Sequence, residues 1–254
     1  MARKEPDERG ETLDRICGQI EIFQSRRGYR FGLECPLLAG FASPGAERLV
    51  DLGCGSGVLA LLLTHFGRAR EAVGVEIQPG LAELAARSVR HNRLEGRVRI
   101  LNADLRCLEG VLPAGGFDRV VANPPHTAAG TGRVDPDGER AAGRHEILCT
   151  LPEVVRAAAR LLEPLGRFAA IYPPRRLVEL LAACSEHGLR PARLRFVHGR
   201  IDLAPSSAML EAVRGGRAEL EVEPPLVVYD ASGEYTDEVQ GFLYPAKPRR
   251  GERT

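Results

Sequence analysis

The sequence predicts one α/β domain built on a mostly parallel sheet with helices on both faces. Two observations carry that prediction. Apolar segments of strand length alternate with segments of helix length from residue 48 onward, the pattern of successive βαβ units. The chain has 254 residues, 44% of them hydrophobic, long enough to bury a sizeable core as one large domain or one domain with appendages.

RLVDLG (48–53) reads as a strand ending in glycine, and VLALLLTHF (58–66) as a helix apolar enough to be buried. EAVGVEI (71–77) is the next strand. PGLAELAARSVRHN (79–92) follows as a helix, with Pro79 suited to a first helical position where no N–H bond is needed. RVRILNAD (97–104) and FDRVVAN (117–123) are further strands. In HEILCTLPEVVRAAARLL (145–162), Leu148, Leu151, Val155, Ala158 and Leu162 recur at three- and four-residue intervals, one apolar face of a helix that Pro152 is expected to kink. GRFAAIYP (166–173) is strand and RRLVELLAACSEHG (175–188) helix. RLRFVHG (193–199) and AMLEAVRGG (208–216) make a closing pair of strands. The stretch 219–240 begins like an added edge strand, interrupted by Pro224 and Pro225, and the tail after Gln240 is expected to be disordered.

The start, MARKEPDERG, is a charged polar arm without an apolar signal core, and no run approaches the roughly 18 apolar residues of a spanning helix, so the expected location is the cytoplasm. Cys17, Cys35, Cys54, Cys107, Cys149 and Cys184 show no C-x-x-C pair or histidine spacing, which argues against a zinc site or a disulfide framework; no metal is expected. Formal net charge is +1, so the field of the whole chain gives no push toward nucleic acid. Arginines nevertheless cluster at 26, 27 and 30, at 133, 140 and 144, and at 175 and 176. Arginine is the general cation here, since Lys4 and Lys247 are the only lysines.

In a sheet of this kind ligands sit outside the carboxyl ends of the strands. After the first of these strands comes D51-L-G-C-G-S-G57, where Gly53, Gly55 and Gly57 permit a tight turn and close approach of backbone N–H groups. The spacing is neither the dinucleotide fingerprint nor a P-loop. The second strand ends in Glu76, placed to accept from the two hydroxyls of a ribose, and the third in Asp104, which could accept from an adenine amino group. A nucleoside without phosphates suits this loop.

VDLGCGSG, Glu76, Asp104 and the N123-P-P-H126 that closes the fourth strand together resemble the class I S-adenosylmethionine-dependent methyltransferases, over about residues 28 to 215. The resemblance implies a Rossmann-like domain with a seven-stranded, mostly parallel sheet whose last strand is antiparallel. It further implies that Asp51, Gly53, Cys54, Gly55 and Gly57 line the methionine moiety, Glu76 the ribose, and Asp104, Leu105 and Ile77 the adenine, with Asn123 shared between donor and acceptor. S-adenosylhomocysteine would be the product.

Asn123, Pro124, Pro125 and His126 resemble the NPP-aromatic motif of methyltransferases acting on amino groups of planar conjugated systems. Such a nitrogen is a poor nucleophile, because its lone pair is delocalised, and must be held in line with the methyl group. The Asn123 side-chain carbonyl and the Pro124 backbone carbonyl can accept the two N–H bonds and draw the lone pair forward. His126, where tyrosine or phenylalanine is more usual, can still stack on the target ring.

Within that family the chain is most similar to the tRNA adenine-N6 methyltransferases of the TrmN6 group. R27-G-Y-R-F-G-L-E-C-P-L-L38, N-P-P-H-x5-G-R133 and E139-R-A-A-G-R-H-E146 carry the similarity. It implies RNA, most specifically tRNA, as partner, with Tyr29, Arg30, Arg133, Arg140 and Arg144 as candidate contacts. Residues 1–47 would be an arm with a short strand or turn and a helix closing over the donor, 48–216 the methyltransferase domain, and 217–254 an extension with a basic tail. Release-factor glutamine methyltransferases share the motif but usually carry a sizeable helical domain, whereas here only about 47 residues precede the first strand. Guanine-N2 methyltransferases of ribosomal RNA often carry a second copy of the fold. A non-catalytic binding module is the rival of another class. The sequence leaves the oligomeric state open.

Overall fold

The computed structural model describes residues 10–26, 30–124, 149–217 and 219–244. The chain opens with an antiparallel hairpin, β1 (Glu11–Ile16) and β2 (Ile20–Ser25), followed by the short helix α1 (Glu34–Phe41). Then come β3 (Ala46–Leu52), α2 (Val58–His65), β4 (Ala69–Glu76), α3 (Pro79–His91), β5 (Val98–Asn102) and β6 (Phe117–Ala122). The second half supplies α4 (Leu151–Leu161), β7 (Leu162–Tyr172), α5 (Leu177–Glu186), β8 (Leu189–His198) and β9 (Ser207–Arg214). Two short strands, β10 (Glu221–Val222) and β11 (Leu226–Val227), and the helix α6 (Asp237–Leu243) complete it.

Seven strands form the body of the sheet in the order β8-β9-β7-β6-β3-β4-β5, and β10 and β11 add to the free edge of β8. From β5 to β7 all neighbours are parallel, whereas β9 pairs antiparallel with both β7 and β8. This is the expected architecture, including the antiparallel last long strand. The central strands read as continuous apolar runs because both faces are covered. Along β7, Phe168, Ala170 and Tyr172 face one core cluster and Ala169 and Ile171 the other. The first face is covered by α4 and α5, the second by α1, α2, the hairpin and α6. Among the described residues no helix is long and apolar enough to cross a membrane.

Several local expectations change. Pro152 does not kink a helix: α4 starts at Leu151, with Pro152 in its first turn and a Thr150–Glu153 capping box ahead of it. The N–H and hydroxyl of Thr150 donate to the Glu153 carboxylate at 2.7 and 3.0 Å. Pro224 and Pro225 separate β10 from β11, so the edge strand is split where two ladder donors are missing. The chain beyond Gln240 is not structureless at once, because α6 continues to Leu243 with Val239 and Leu243 buried. Thr236 caps α6 and Arg195 holds its Glu238 with two hydrogen bonds of 2.7 and 2.9 Å.

These contacts converge on α1. Phe242 of α6 packs against Gly40, where a Cβ would clash with the ring. At the other side, Arg68 donates to the terminal carbonyls of Gly40 and Ala42 at 2.9 and 2.7 Å, placing a cation at the helix C-terminus. Ser43, just past α1, donates its N–H and hydroxyl to the buried Glu211 of β9 at 2.9 and 2.7 Å. Gly40→Ala is therefore expected to destabilise the protein by about 1–3 kcal/mol through overpacking, reversing the ordinary gain of alanine over glycine in a helix. Thermal melting of Gly40→Ala, with and without Phe242→Ala, tests this: the second substitution should remove most of the loss.

Candidate active site

The carboxyl ends of β3, β4, β5 and β6 surround an open cleft. Gly53, Gly55 and Gly57 all take positive φ, so the chain turns tightly out of β3 into α2. The N–H groups of Gly53 and Cys54 donate to Val75 O at 2.9 and 3.0 Å, fastening the loop to the end of β4. A Cβ on Gly53 would meet nothing within 4 Å, whereas one on Gly57 would lie 3.2 Å from Ala85 Cβ of α3.

Glu76 is almost fully buried, and its two oxygens accept from the backbone N–H groups of Gly55 and Gln78, each at 2.9 Å. Burial pushes its carboxyl above the usual range despite those bonds. Asp51 is buried too; Oδ2 accepts from Ala60 N–H at 3.2 Å, while Oδ1 has no partner among the described residues. Burial, reinforced by the nearby Glu76 charge and opposed by the Ala60 N–H, pushes Asp51 up to about 7. Asp104 lies at the rim. Its carboxylate takes a forked bond from Arg106, Nε at 3.0 Å and Nη2 at 2.6 Å, which holds it below the usual range.

Of the residues expected at the donor, Asp51, Gly53, Cys54, Gly55, Glu76, Ile77, Asp104, Leu105 and Asn123 all line this cleft. Gly57 does not; it begins α2 and lets that helix approach α3. Arg30 is engaged with the hairpin, bonding Thr12 Oγ1, Ser25 O and the Asp14 carboxylate. Pro124 follows Asn123 directly beyond β6. Tyr29, Pro125, His126, Arg133, Arg140 and Arg144 lie outside the described residues.

The cleft also contains residues that the motifs did not single out as site residues. Phe31 and Cys35, from α1 and the segment before it, wall one side, and Cys149, just ahead of α4, adds another part of the lining. Asn123 Nδ2 donates to Cys35 Sγ at 3.7 Å, and Asn123 Oδ1 accepts no hydrogen bond among the described residues. The only hint of this contact in sequence was the segment R27 to L38, whose helix was expected over the donor.

With three carboxylates and, among the described residues, no lysine or arginine in its lining, the cleft favours a cationic, nucleoside-sized ligand over one bearing phosphates. The apolar walls from Val58, Leu59, Val75, Leu81 and Leu105 fit a flat base, and the unpartnered Asp51 oxygen fits an ammonium group. A nucleoside sulfonium with an amino-acid tail meets all three demands.

Comparison with known proteins agrees. Residues 35–136 match the family model described as the methyltransferase small domain. A solved Agrobacterium tumefaciens protein, described as a predicted O-methyltransferase, aligns with TM-score 0.67 at 24% identity, over 83% of this chain and 95% of that one. TYW2 of P. horikoshii, solved in complex with MeSAdo, aligns with TM-score 0.58 at 16% identity, over 82% of this chain and 73% of that one. At these identities the likeness is one of fold. The tRNA1(Val) (adenine(37)-N6)-methyltransferase of Porphyromonas gingivalis strain W83 is 30% identical over 238 residues, 89% of this chain and 92% of the relative. On sequence, fold and cleft together, the chain belongs to the methyltransferase family that includes the tRNA1(Val) adenine-N6 enzymes.

Proposed function

We propose that the protein transfers a methyl group from S-adenosylmethionine to the exocyclic N6 amino group of an adenosine in tRNA, the adenine at position 37 of tRNA1(Val) being the acceptor named for its relatives. The observation that carries this reading is the meeting of the carboxylate-lined cleft with Asn123 at the end of β6. When bound, S-adenosylmethionine supplies an electrophilic methyl group on a sulfonium. Asp51 and Glu76 hold its polar groups, and Leu81 and Leu105 its base. The Asn123 Oδ1 and the Pro124 carbonyl accept the two N–H bonds of the target amino group, orient its lone pair into the cleft and raise its electron density. Pro125 stiffens the turn and His126 covers the base. Arg133, Arg140, Arg144 and Tyr29 contact the RNA around it. In this reading residues 48–216 carry both sites, Phe31 and Cys35 of the preceding segment close the cleft, and α6 of the C-terminal extension braces α1.

The raised Asp51 gives a pH signature. The ligand's ammonium group binds best to the ionised carboxylate, so below about 7 binding must first expel a proton. Affinity for S-adenosylhomocysteine, measured by calorimetry, is expected to rise up to about tenfold per pH unit as pH approaches 7 and then level off. Asp51→Asn should flatten that slope; an equal slope in the variant would refute the assignment. In the unliganded protein the sign is opposite: stability declines as pH rises from the usual carboxylate range to about 7, because ionisation of a buried acid is penalised.

The reading is tested by methyl transfer from labelled S-adenosylmethionine to total tRNA from cells lacking the protein. The expected label is nuclease-sensitive and digests to N6-methyladenosine. Protease-sensitive label would turn the reading to a glutamine acceptor, and donor binding without transfer to any acceptor would turn it to a non-catalytic module.

A further inference from the structure

Asn123 can do its work only if its amide faces the right way. An amide presents an acceptor on one side and donors on the other, and rotation by half a turn would point Nδ2 at the target amino group, donor against donor. Two features at the site fix the direction. Cys35 Sγ, in the cleft wall formed by α1, lies 3.7 Å from Nδ2, and the thiol is buried. Sulfur is a weak but real acceptor, and 3.7 Å is an ordinary N–H···S separation. Burial raises the Cys35 thiol above its usual range, so it stays uncharged and adds no repulsion to the nearby carboxylates.

The sulfur is carried by a helix that is held at several points. Arg68 and Ser43 fix the C-terminal end of α1, Arg193 stacks on Phe41 at 4.5 Å, and Phe242 packs on Gly40. A short helix so restrained presents one atom to the end of β6 with little freedom, although the two residues are 88 positions apart in sequence. We propose that Cys35 is a positioning residue: it accepts from Asn123 Nδ2 and so keeps Oδ1 turned toward the acceptor amino group. The functional part rests on the methyltransferase reading above; the contact itself does not.

Cys35→Val tests this, because valine keeps a buried apolar side chain of similar size and removes the acceptor. The expected result is a fall in kcat of about tenfold, as for a displaced reacting group, with affinity for S-adenosylhomocysteine close to wild type. Cys35→Ser, which restores an acceptor, should recover most of the loss. A second readout needs no turnover. In protein labelled with nitrogen-15 at asparagine, the Asn123 side-chain amide, identified by its disappearance in Asn123→Ala, should shift and exchange faster with water in Cys35→Val. Wild-type kcat in Cys35→Val, or an Asn123 amide unmoved by the substitution, overturns the proposal. A wild-type enzyme silent on every acceptor defeats the methyltransferase reading instead, and the amide resonance still decides whether Cys35 sets the orientation.

Discussion

Asn123→Ala is expected to lower kcat by about 10²–10³-fold, the loss typical of removing one preorganised hydrogen-bonding group at a reacting centre. The effect should fall on kcat because the target amino group becomes more acidic as its lone pair moves toward the methyl carbon. Its bond to Oδ1 therefore strengthens between ground state and transition state. Affinity for S-adenosylhomocysteine should change much less, since Asp51, Glu76 and the glycine loop hold that ligand. Single-turnover transfer beside calorimetric binding separates the two. A variant with near-wild-type single-turnover rate would remove Asn123 from the chemistry.

Glu211→Ala should have the largest effect on stability. The carboxylate is completely buried and meets three cations: Arg119 at 3.0 Å, Arg167 at 2.7 Å and Arg193 at 3.4 Å. Burial alone would raise its pKa, but the N–H and hydroxyl of Ser43, then the charges of Arg119 and Arg167, outweigh burial and hold it below the usual range. Removing the carboxylate leaves the Arg119 guanidinium, itself only 8% exposed, without its countercharge. Breaking a buried pair from one side costs about 3–5 kcal/mol, a large share of a domain's stability. Glu211→Gln should lose less, because an amide oxygen can still accept from Ser43. The pH sign follows from the lowered pKa: the stabilisation is present above the ordinary carboxylate range and is lost as pH falls through the depressed value. Denaturant unfolding at neutral and acid pH reads both effects, and the difference between wild type and Glu211→Gln should shrink in acid. Equal stabilities of Glu211→Ala and wild type at neutral pH would contradict this role.

The donor side was legible because its signals are local. Glycines that need positive φ and acids that end strands can be read one strand at a time, and Gly53, Gly55, Asp51 and Glu76 meet in the cleft where expected. Gly57 shares the positive φ, and a further constraint on it, the approach of Ala85, comes from another helix and leaves no local sign. The hairpin β1–β2 was hidden by its own buried face: Thr12, Asp14 and Gln24 point inward, so the apolar alternation that marks a strand is broken. Gln24 and Arg30 both donate to Asp14 Oδ2 there, which also draws Arg30 away from the exposed cations. Helix α6 did carry a local signal, Thr236 before Asp237 and Glu238, masked by the glycines and prolines around it. For Cys35 the sequence offered only the expectation of a helix over the donor, since nothing in a lone cysteine announces the residue it will touch.

The most direct test uses one purified acceptor. The protein is incubated with labelled S-adenosylmethionine and unmodified tRNA1(Val) carrying either adenine or guanine at position 37, and the products are mapped by mass spectrometry of nuclease fragments. One methyl group on the fragment containing adenine-37, identified as N6-methyladenosine and absent from the guanine-37 RNA, is the predicted result. Equal methylation of both RNAs, or of neither while donor binding is intact, would contradict the proposed reaction.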